Sequence, residues 1–168
     1  MAIVLAIDPG NIESAYAFLY DNPSGLELGE FAKVENRAVL DMARAVYETC
    51  PGLTVAIEMI ASYGMPVGRE VFDTCVFIGQ LREAMRELPV HYVYRRDVKL
   101  NLCNSARAKD ANVRKALIDR YAGHDFKNGR GTNKNPDFFY GVSRDCWAAI
   151  AAGVTYIDAT ARAAQDAI

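Results

Sequence analysis

Three acidic side chains stand where regular elements of the chain are predicted to begin or end. Asp8 and Glu58 each follow a short apolar run typical of a buried strand. Asp145 falls in the first turn of the last predicted helix, where the helix dipole favours a negative group. Carboxylates at neighbouring strand ends raise each other's pKa unless a cation compensates them. Because hard divalent cations prefer oxygen ligands, the three positions predict a shared metal site.

Each of these carboxylates also has a purely structural interpretation. Asp8 precedes Pro9-Gly10 and is an ordinary turn former. Glu58 can end a strand and point into water, and Asp145 can be placed for the helix dipole alone. Both interpretations stay open for any single residue, and only their joint placement on one order of elements favours a site.

The first thirty-odd residues predict three strands. Apolar or alternating runs occur at 3–7, 15–19 and 26–34. The turns 8–11 and 22–25 separate them, each with a proline and a glycine that a strand interior would reject.

Helices and strands then alternate. A helix from Asn36, its predicted N-cap, ends at Pro51-Gly52, and a buried strand is predicted at 53–57. A second helix precedes a fifth strand at 90–94. The apolar stripe of this second helix consists of Val71, Cys75, Ile78, Leu81, Met85 and Leu88.

The last part of the chain is predicted to be helical with one long interruption. Two apolar helix faces consist of Val113, Ala116, Leu117 and Tyr121, and of Trp147, Ile150, Ala151, Val154 and Ile157. Between them, 123–141 is rich in glycine, asparagine and lysine and is too long for a simple connection. We expect a mobile functional loop there.

This order of elements predicts an α/β fold in a single domain spanning residues 1–168. The sheet should be five-stranded and mixed, with three antiparallel N-terminal strands. Parallel strands should then join by right-handed helix crossovers, with helices flanking the sheet.

Positive charge is concentrated in the segment 95–134. It holds eleven Lys and Arg against four Asp, a net +7, so the remainder of a chain with net charge −2 carries −9. Such a cluster beside an acidic body predicts a surface for phosphate backbones, although a solvated helix face is an equally simple interpretation.

Composition argues against several other classes. No apolar stretch reaches the roughly 20 residues of a membrane span. The four cysteines lie far apart and only two histidines occur, which argues against a zinc site and favours reduced thiols. We expect a soluble, unexported cytoplasmic protein with no small-molecule cofactor.

The sequence resembles the RuvC family of Holliday-junction resolvases, which have an RNase H-like fold. The matching segments are residues 2–10, Ala56-Ile57-Glu58, Gly79-Gln80, Val98-Lys99, Ser105-Ala106 with Lys109, and Asp145 with the apolar 146–151. Residues 109–121, 131–136 and Tyr140-Gly141 more narrowly resemble resolvases carried by bacteriophages.

The resemblance implies that Asp8, Glu58 and Asp145 bind Mg²⁺, with Mn²⁺ able to substitute, and that Lys99 and Lys109 contact phosphates. Two ions roughly 3.5–4 Å apart would then hydrolyse a phosphodiester and leave a 5′-phosphate and a 3′-hydroxyl. It also implies a homodimer, since a four-way junction needs two symmetry-related cuts.

Two further basic residues, Arg107 in the basic segment and Lys134 in the long loop, are additional DNA-binding candidates.

The chain departs from the family pattern at two places. A second acidic or histidine ligand usually lies one turn before the last aspartate, where this chain has Val142. Asp137, the Ser143 hydroxyl or water are the possible substitutes. The aromatic wedge that usually follows the glutamate is shifted, and Tyr63 is the nearest ring. Tyr63 either stacks on a base or is buried under its loop.

Aromatic residues in the long loop present the same choice. For Phe138, Phe139 and Tyr140 we expect loop anchoring by at least two.

Two other functions are compatible with parts of this pattern. One is a non-catalytic nucleic-acid-binding module, which the missing fourth ligand allows. The other is an actin-like ATPase or sugar kinase, whose fold begins with the same three strands. Against the kinase stand the short length and the lack of a second Asp-x-Gly loop.

Overall fold

The computed structural model describes residues 1–50, 52–62 and 64–166. The elements in chain order are β1 (Ala2–Asp8), β2 (Glu13–Asn22), β3 (Gly25–Glu35), α1 (Asn36–Thr49), β4 (Leu53–Met59), α2 (Arg69–Ala84), β5 (Val90–Tyr94), α3 (Arg95–Cys103), α4 (Asp110–Tyr121) and α5 (Cys146–Asp166). Across these described ranges, no helix combines the length and apolarity needed to cross a membrane.

The five strands form one mixed sheet in the order β3-β2-β1-β4-β5. The pairs β1–β2 and β2–β3 are antiparallel, whereas β4 runs parallel to both β1 and β5. The predicted topology is therefore confirmed, with the N-terminal meander on one side of β1 and the crossover strands on the other.

Alternation along the central strands directs side chains to two cores. Leu5 and Ile7 of β1 belong to the core beneath α1 and α2, where they are fully buried. Val4 instead belongs to the core beneath α4 and α5. Because strand side chains alternate between faces, Ala6 and Asp8 share the face of Val4.

The helix α5 approaches this face closely. A Cβ on Gly153 would lie 2.4 Å from Leu19 Cδ1 and 2.8 Å from Ala6 Cβ, so a larger residue would push the helix off the sheet. The sheet beneath it carries the small side chains of Ala15, Ala17 and Ala56, all buried. This close packing fixes where the start of α5 lies relative to the strand ends.

Three local predictions differ from the structure. The N-cap of α1 is Glu35, which makes no side-chain capping hydrogen bond, and the predicted cap Asn36 is instead the first helical residue, with its side chain bonded to Ser14 and Gly10. In α2, Cys75 is exposed, and Thr74 and Phe77 join the buried face instead. The sequence pattern also missed α3, a short helix that follows β5 directly.

Candidate functional site

Asp8 and Glu58 lie side by side at the carboxyl ends of two parallel strands. The register pairs Ile7 with Ile57, so the next residue on each strand is one of the two acids. Alternation places Asp8 on the face of Ala6 and Glu58 on the face of Ala56, beneath α5. Both carboxylates are thus held by rigid strands rather than by loops.

A small polar network fixes the turn that follows Asp8. The Gly10 N–H donates to Ser14 Oγ at 3.1 Å, Ser14 Oγ donates to Asn36 Oδ1 at 2.6 Å, and Asn36 Nδ2 donates to the Gly10 carbonyl at 2.9 Å. A Cβ on Gly10 would lie 2.3 Å from the Glu13 carbonyl oxygen, so the turn requires glycine. The network joins the end of β1 to β2 and α1.

Asp145 immediately precedes α5 and faces the same cleft as the two strand acids. This open cleft of about 810 Å³ is lined by Asp8, Glu58, Arg95, Asp110, Ala111, Val113, Arg114, Arg144, Asp145, Trp147 and Ala148. In this structure Asp145 is ion-paired with Lys33 at 3.2 Å, and Lys33 also contacts Glu13 at 3.4 Å. The three predicted acids therefore line one cleft, and the third, Asp145, is paired with Lys33.

Arg95, the first residue of α3, enters the cleft between two acids. Its Nη1 lies 3.7 Å from Glu58 Oε2, and its Nη2 donates to Asp110 Oδ1 at 2.5 Å. Within the part of the chain that the structure describes, Glu58 Oε2 and Arg95 Nη1 are buried without a hydrogen-bond partner. The contact with Glu58 is therefore an attraction between charges rather than a hydrogen bond.

Burial dominates the acidity of the two strand carboxylates. It raises the pKa of Asp8 to about 6, with Asp145 raising it further and Arg95 opposing the change. Burial likewise raises the pKa of Glu58 to about 7, helped by the charge of Asp8 and again opposed by Arg95. Both acids lack sufficient positive compensation, which is the condition that favours binding of a cation.

The donor set of Asp8 and Glu58 fits a divalent cation that takes oxygen ligands, because Glu58 Oε2 is buried with no hydrogen-bond donor. A complete ligand cluster is not assembled, however. Among residues 1–50, 52–62 and 64–166, no three His, Cys, Asp or Glu side chains group closely enough to hold a metal ion. Asp145 is paired with Lys33 instead.

The two additional ligands considered from the sequence lie outside the cleft lining. The Asp137 carboxylate accepts hydrogen bonds from the backbone N–H groups of Gly123, His124, Asp125 and Phe138. The Ser143 hydroxyl donates to Cys146 Sγ at 3.1 Å. Val142, at the family's acidic position, is buried in the core beneath α4 and α5. The structure does not bring Asp137 or Ser143 to Asp8 and Glu58.

The predicted DNA-binding lysines and arginine lie at different distances from the acids. Lys99 of α3 is half-buried, and its charge lowers the pKa of Glu58. Lys109 stands at the N-terminus of α4 beside Asp110, and Arg107 is exposed two residues earlier. Lys134 is exposed in the long loop. The predicted Tyr63 lies outside the described residues.

Sequence reasoning missed five charged residues at this site. Arg95, Arg114 and Arg144 line the cleft, as does Asp110, and Lys33 holds Asp145. The Arg114 guanidinium lies over the Trp147 ring, 4.7 Å from its centroid. The count of basic residues included two of the arginines but gave them no role, because only the packing of α3 and α4 places them against the acids.

Solved structures with folds similar to this chain include two of RuvC and one of a viral resolvase. Thermus thermophilus RuvC in complex with a Holliday junction substrate gives a TM-score of 0.69 at 15% identity, covering 94% of this chain and 93% of that chain. Another Thermus thermophilus RuvC structure gives 0.65 at 16% identity, covering 92% and 93%. The fowlpox virus resolvase with its substrate Holliday junction DNA gives 0.53 at 18% identity, covering 94% and 98%.

No protein-family model and no curated protein matches the sequence. The similarity is thus one of architecture: a five-stranded mixed sheet, three strands antiparallel and the others parallel, with helices on both faces. The chain has the RuvC-like variant of the RNase H fold.

Proposed function

We propose that this protein is a metal-dependent endodeoxyribonuclease that cuts four-way or otherwise branched DNA. The observation that carries the proposal is the undercompensated pair Asp8 and Glu58, side by side at two parallel strand ends in a cleft that also presents arginines. The likeness to resolvases solved with Holliday junction DNA supports the choice of substrate.

Asp8 and Glu58 would hold Mg²⁺ or Mn²⁺ through their carboxylate oxygens, with Asp145 joining from the start of α5 after Lys33 releases it. Bound there, a divalent cation supplies a lowered pKa for water and stabilisation of charge on the phosphate. Arg114 and Arg144 face the same cleft and would neutralise a phosphodiester that enters it. Hydrolysis would leave a 5′-phosphate and a 3′-hydroxyl.

The basic segment would hold the DNA arms on either side of the cleft. The Lys99 charge acts on Glu58, and Lys109 is the N-cap of α4 next to the cleft residue Asp110. Arg107 and Lys134 are exposed. Contacts to phosphates carry affinity without sequence information. Binding through these contacts would therefore be insensitive to base sequence.

Two copies of the chain would place two clefts on one junction. The exposed side of α2 offers apolar residues at helical spacing, with Phe72 60% and Val76 62% exposed. Burial of these residues between two copies would remove apolar surface from water. Sedimentation equilibrium should give a dimer, and Val76→Glu should shift it to monomer.

The decisive experiment incubates a synthetic four-way junction with the protein and Mg²⁺. We expect paired nicks at symmetry-related positions, none in EDTA, and none with Asp8→Asn, which should still bind the junction. Asp41→Asn is a matched control, because Asp41 is an exposed acid on α1, a helix on the other face of the sheet. Equal cutting of linear duplex or of an RNA–DNA hybrid would contradict junction selectivity.

One observation favours a second function, a non-catalytic DNA-binding module. Asp145 is occupied by Lys33, and the described residues contain no three-ligand metal cluster. Junction binding without cutting in Mg²⁺ or Mn²⁺ would establish this alternative.

A further inference from the structure

Arg95 occupies an unusual position among the charged residues of the cleft. It follows β5 directly, and the sheet register pairs Glu58 with Val93 and Met59 with Tyr94. The start of α3 is therefore fixed beside the Glu58 carboxylate by strand pairing. Only 26% of the Arg95 side chain is exposed, although a guanidinium is always charged.

The two terminal nitrogens of Arg95 make different contacts with their acidic partners. One makes a short hydrogen bond of 2.5 Å to Asp110, whereas the other stops 3.7 Å from Glu58. At that distance Arg95 lowers the charge imbalance around Glu58 but leaves its buried oxygen without a donor. The carboxylate is only partly compensated, and one of its oxygens remains free to bind a cation.

We infer that Arg95 is a built-in counter-charge that sets the affinity of this cleft for divalent cations, and that Asp110 holds it back from Glu58. The inference rests on the proposed metal-dependent function. Arg95 stabilises the acids when no ion is bound, and its charge opposes an arriving ion. Asp110 keeps the guanidinium from donating to the Glu58 oxygen that the ion needs.

Removing each partner should move metal affinity in opposite directions. At a pH high enough to ionise both strand acids in every variant, Arg95→Gln eliminates a positive charge a few ångströms from the ligands, so we expect Mn²⁺ to bind roughly tenfold more tightly. Asp110→Asn frees Arg95 to close on Glu58 and should weaken Mn²⁺ binding by roughly tenfold. A merely structural role for Arg95 would give the reverse sign for Arg95→Gln, because a distorted site binds metal less well.

The test measures the Kd for Mn²⁺ on the full, DNA-free chain by electron paramagnetic resonance of the free ion. Arg96→Gln is the matched control, since it removes the same charge from an exposed position on the same helix turn, and it should change the Kd less than twofold. In the double variant, the effect of Asp110→Asn should shrink, because Arg95 is no longer there to restrain.

Asp110 is 81% exposed, so its variant should fold even where Arg95→Gln does not. An unchanged or weaker Kd in Arg95→Gln overturns the inference, as does an unchanged Kd in Asp110→Asn or no Mn²⁺ binding in any variant. Junction cutting is assayed separately. If the wild type cuts the junction but Arg95→Gln has the same Kd as the wild type, the inference about Arg95 is wrong and the proposed nuclease function stands. If Arg95→Gln binds Mn²⁺ more tightly but the wild type does not cut the junction, the proposed nuclease function is wrong and the inference about Arg95 stands.

Discussion

The strand-end cleft and the long loop 123–141 both contain acidic side chains, but they satisfy them in opposite ways. In the loop, Asp125 accepts from three backbone N–H groups and Asp137 from four. In the cleft, Glu58 has a buried oxygen with no donor. The same residue class therefore closes a loop in one region and leaves a demand for positive charge in the other.

The pKa values of the acids in the loop and in the cleft shift in opposite directions. Backbone hydrogen bonds hold the pKa of Asp137 and that of Asp125 below the usual value, although burial opposes the change. Burial without such bonds raises the pKa of Asp8 and Glu58. Hydrogen bonds to a carboxylate favour its charged form, whereas desolvation alone disfavours it. An acid with saturated oxygens indicates structure, and an acid with free oxygens indicates a site.

The largest expected effect separates the two regions by catalysis. Glu58→Gln removes a charge from the cleft, and junction cutting per folded molecule should fall by about a thousandfold, since loss of a metal ligand costs several kcal/mol in the barrier. Asp137→Asn should change cutting per folded molecule little. Single-turnover assays on purified variants measure both, and comparable losses would contradict the distinction.

Loss of the loop carboxylate, unlike loss of a cleft carboxylate, should lower the stability of the protein. Asp137→Asn presents an amide N–H group to backbone N–H donors that need an acceptor, so we expect the Tm to fall by roughly 10 °C. Differential scanning calorimetry provides the measurement. Asp119→Asn is the control, because this exposed acid of α4 pairs with the Lys115 side chain one turn earlier. A Tm for Asp137→Asn equal to that of the control would show that the loop does not depend on its carboxylate.

The metal-free protein should lose stability as the pH rises through the range set by the cleft. Folding raises the pKa of Asp8 from 3.8 to about 6 and that of Glu58 from 4.5 to about 7. An acid with a raised folded-state pKa contributes stability below its unfolded pKa and loses that contribution as pH rises through the folded value. The unfolding free energy in EDTA should therefore decline between about pH 4 and pH 7 from these two groups.

Asp8→Asn should flatten this profile and stabilise the metal-free protein at pH 8 by on the order of 2 kcal/mol. Urea unfolding at several pH values measures the difference. Parallel profiles for variant and wild type would mean that burial of Asp8 costs nothing, and would remove the contrast with the loop.

The smallest expected effect concerns DNA. Lys109→Ala, beside the cleft, should weaken junction binding and lower the slope of log K against log salt by about one. Lys134→Ala should do the same if the loop contacts DNA as proposed. Arg44→Ala is the control, because Arg44 pairs with Asp41 on α1, which packs on the other face of the sheet. Fluorescence anisotropy at several salt concentrations gives the slopes, and a slope changed only by Lys109→Ala would confine the DNA surface to the cleft side.

Much of the fold could be predicted because local patterns determine it. Strands β1 to β5 follow from runs of apolar residues bounded by turns, and their order follows from the alternation with helices. The expected anchoring of the long loop by aromatic residues is also confirmed, since Phe139 is fully buried and stacks near Trp147, and Phe138 stacks on Tyr121. The loop is held by carboxylates as well as by rings, a role that periodicity does not reveal.

By itself, the sequence predicted that Asp8 and Glu58 end neighbouring strands, because an apolar run precedes each acid and the helix between the strands indicates a parallel crossover. Only the tertiary structure decided which charges meet them. Arg95 and Asp110 are 15 residues apart and come together through the packing of α3 against α4. Lys33 of β3 pairs with Asp145 just before α5, more than a hundred residues later in the chain. Such pairings depend on distances between elements, which residue type and spacing along the chain do not encode.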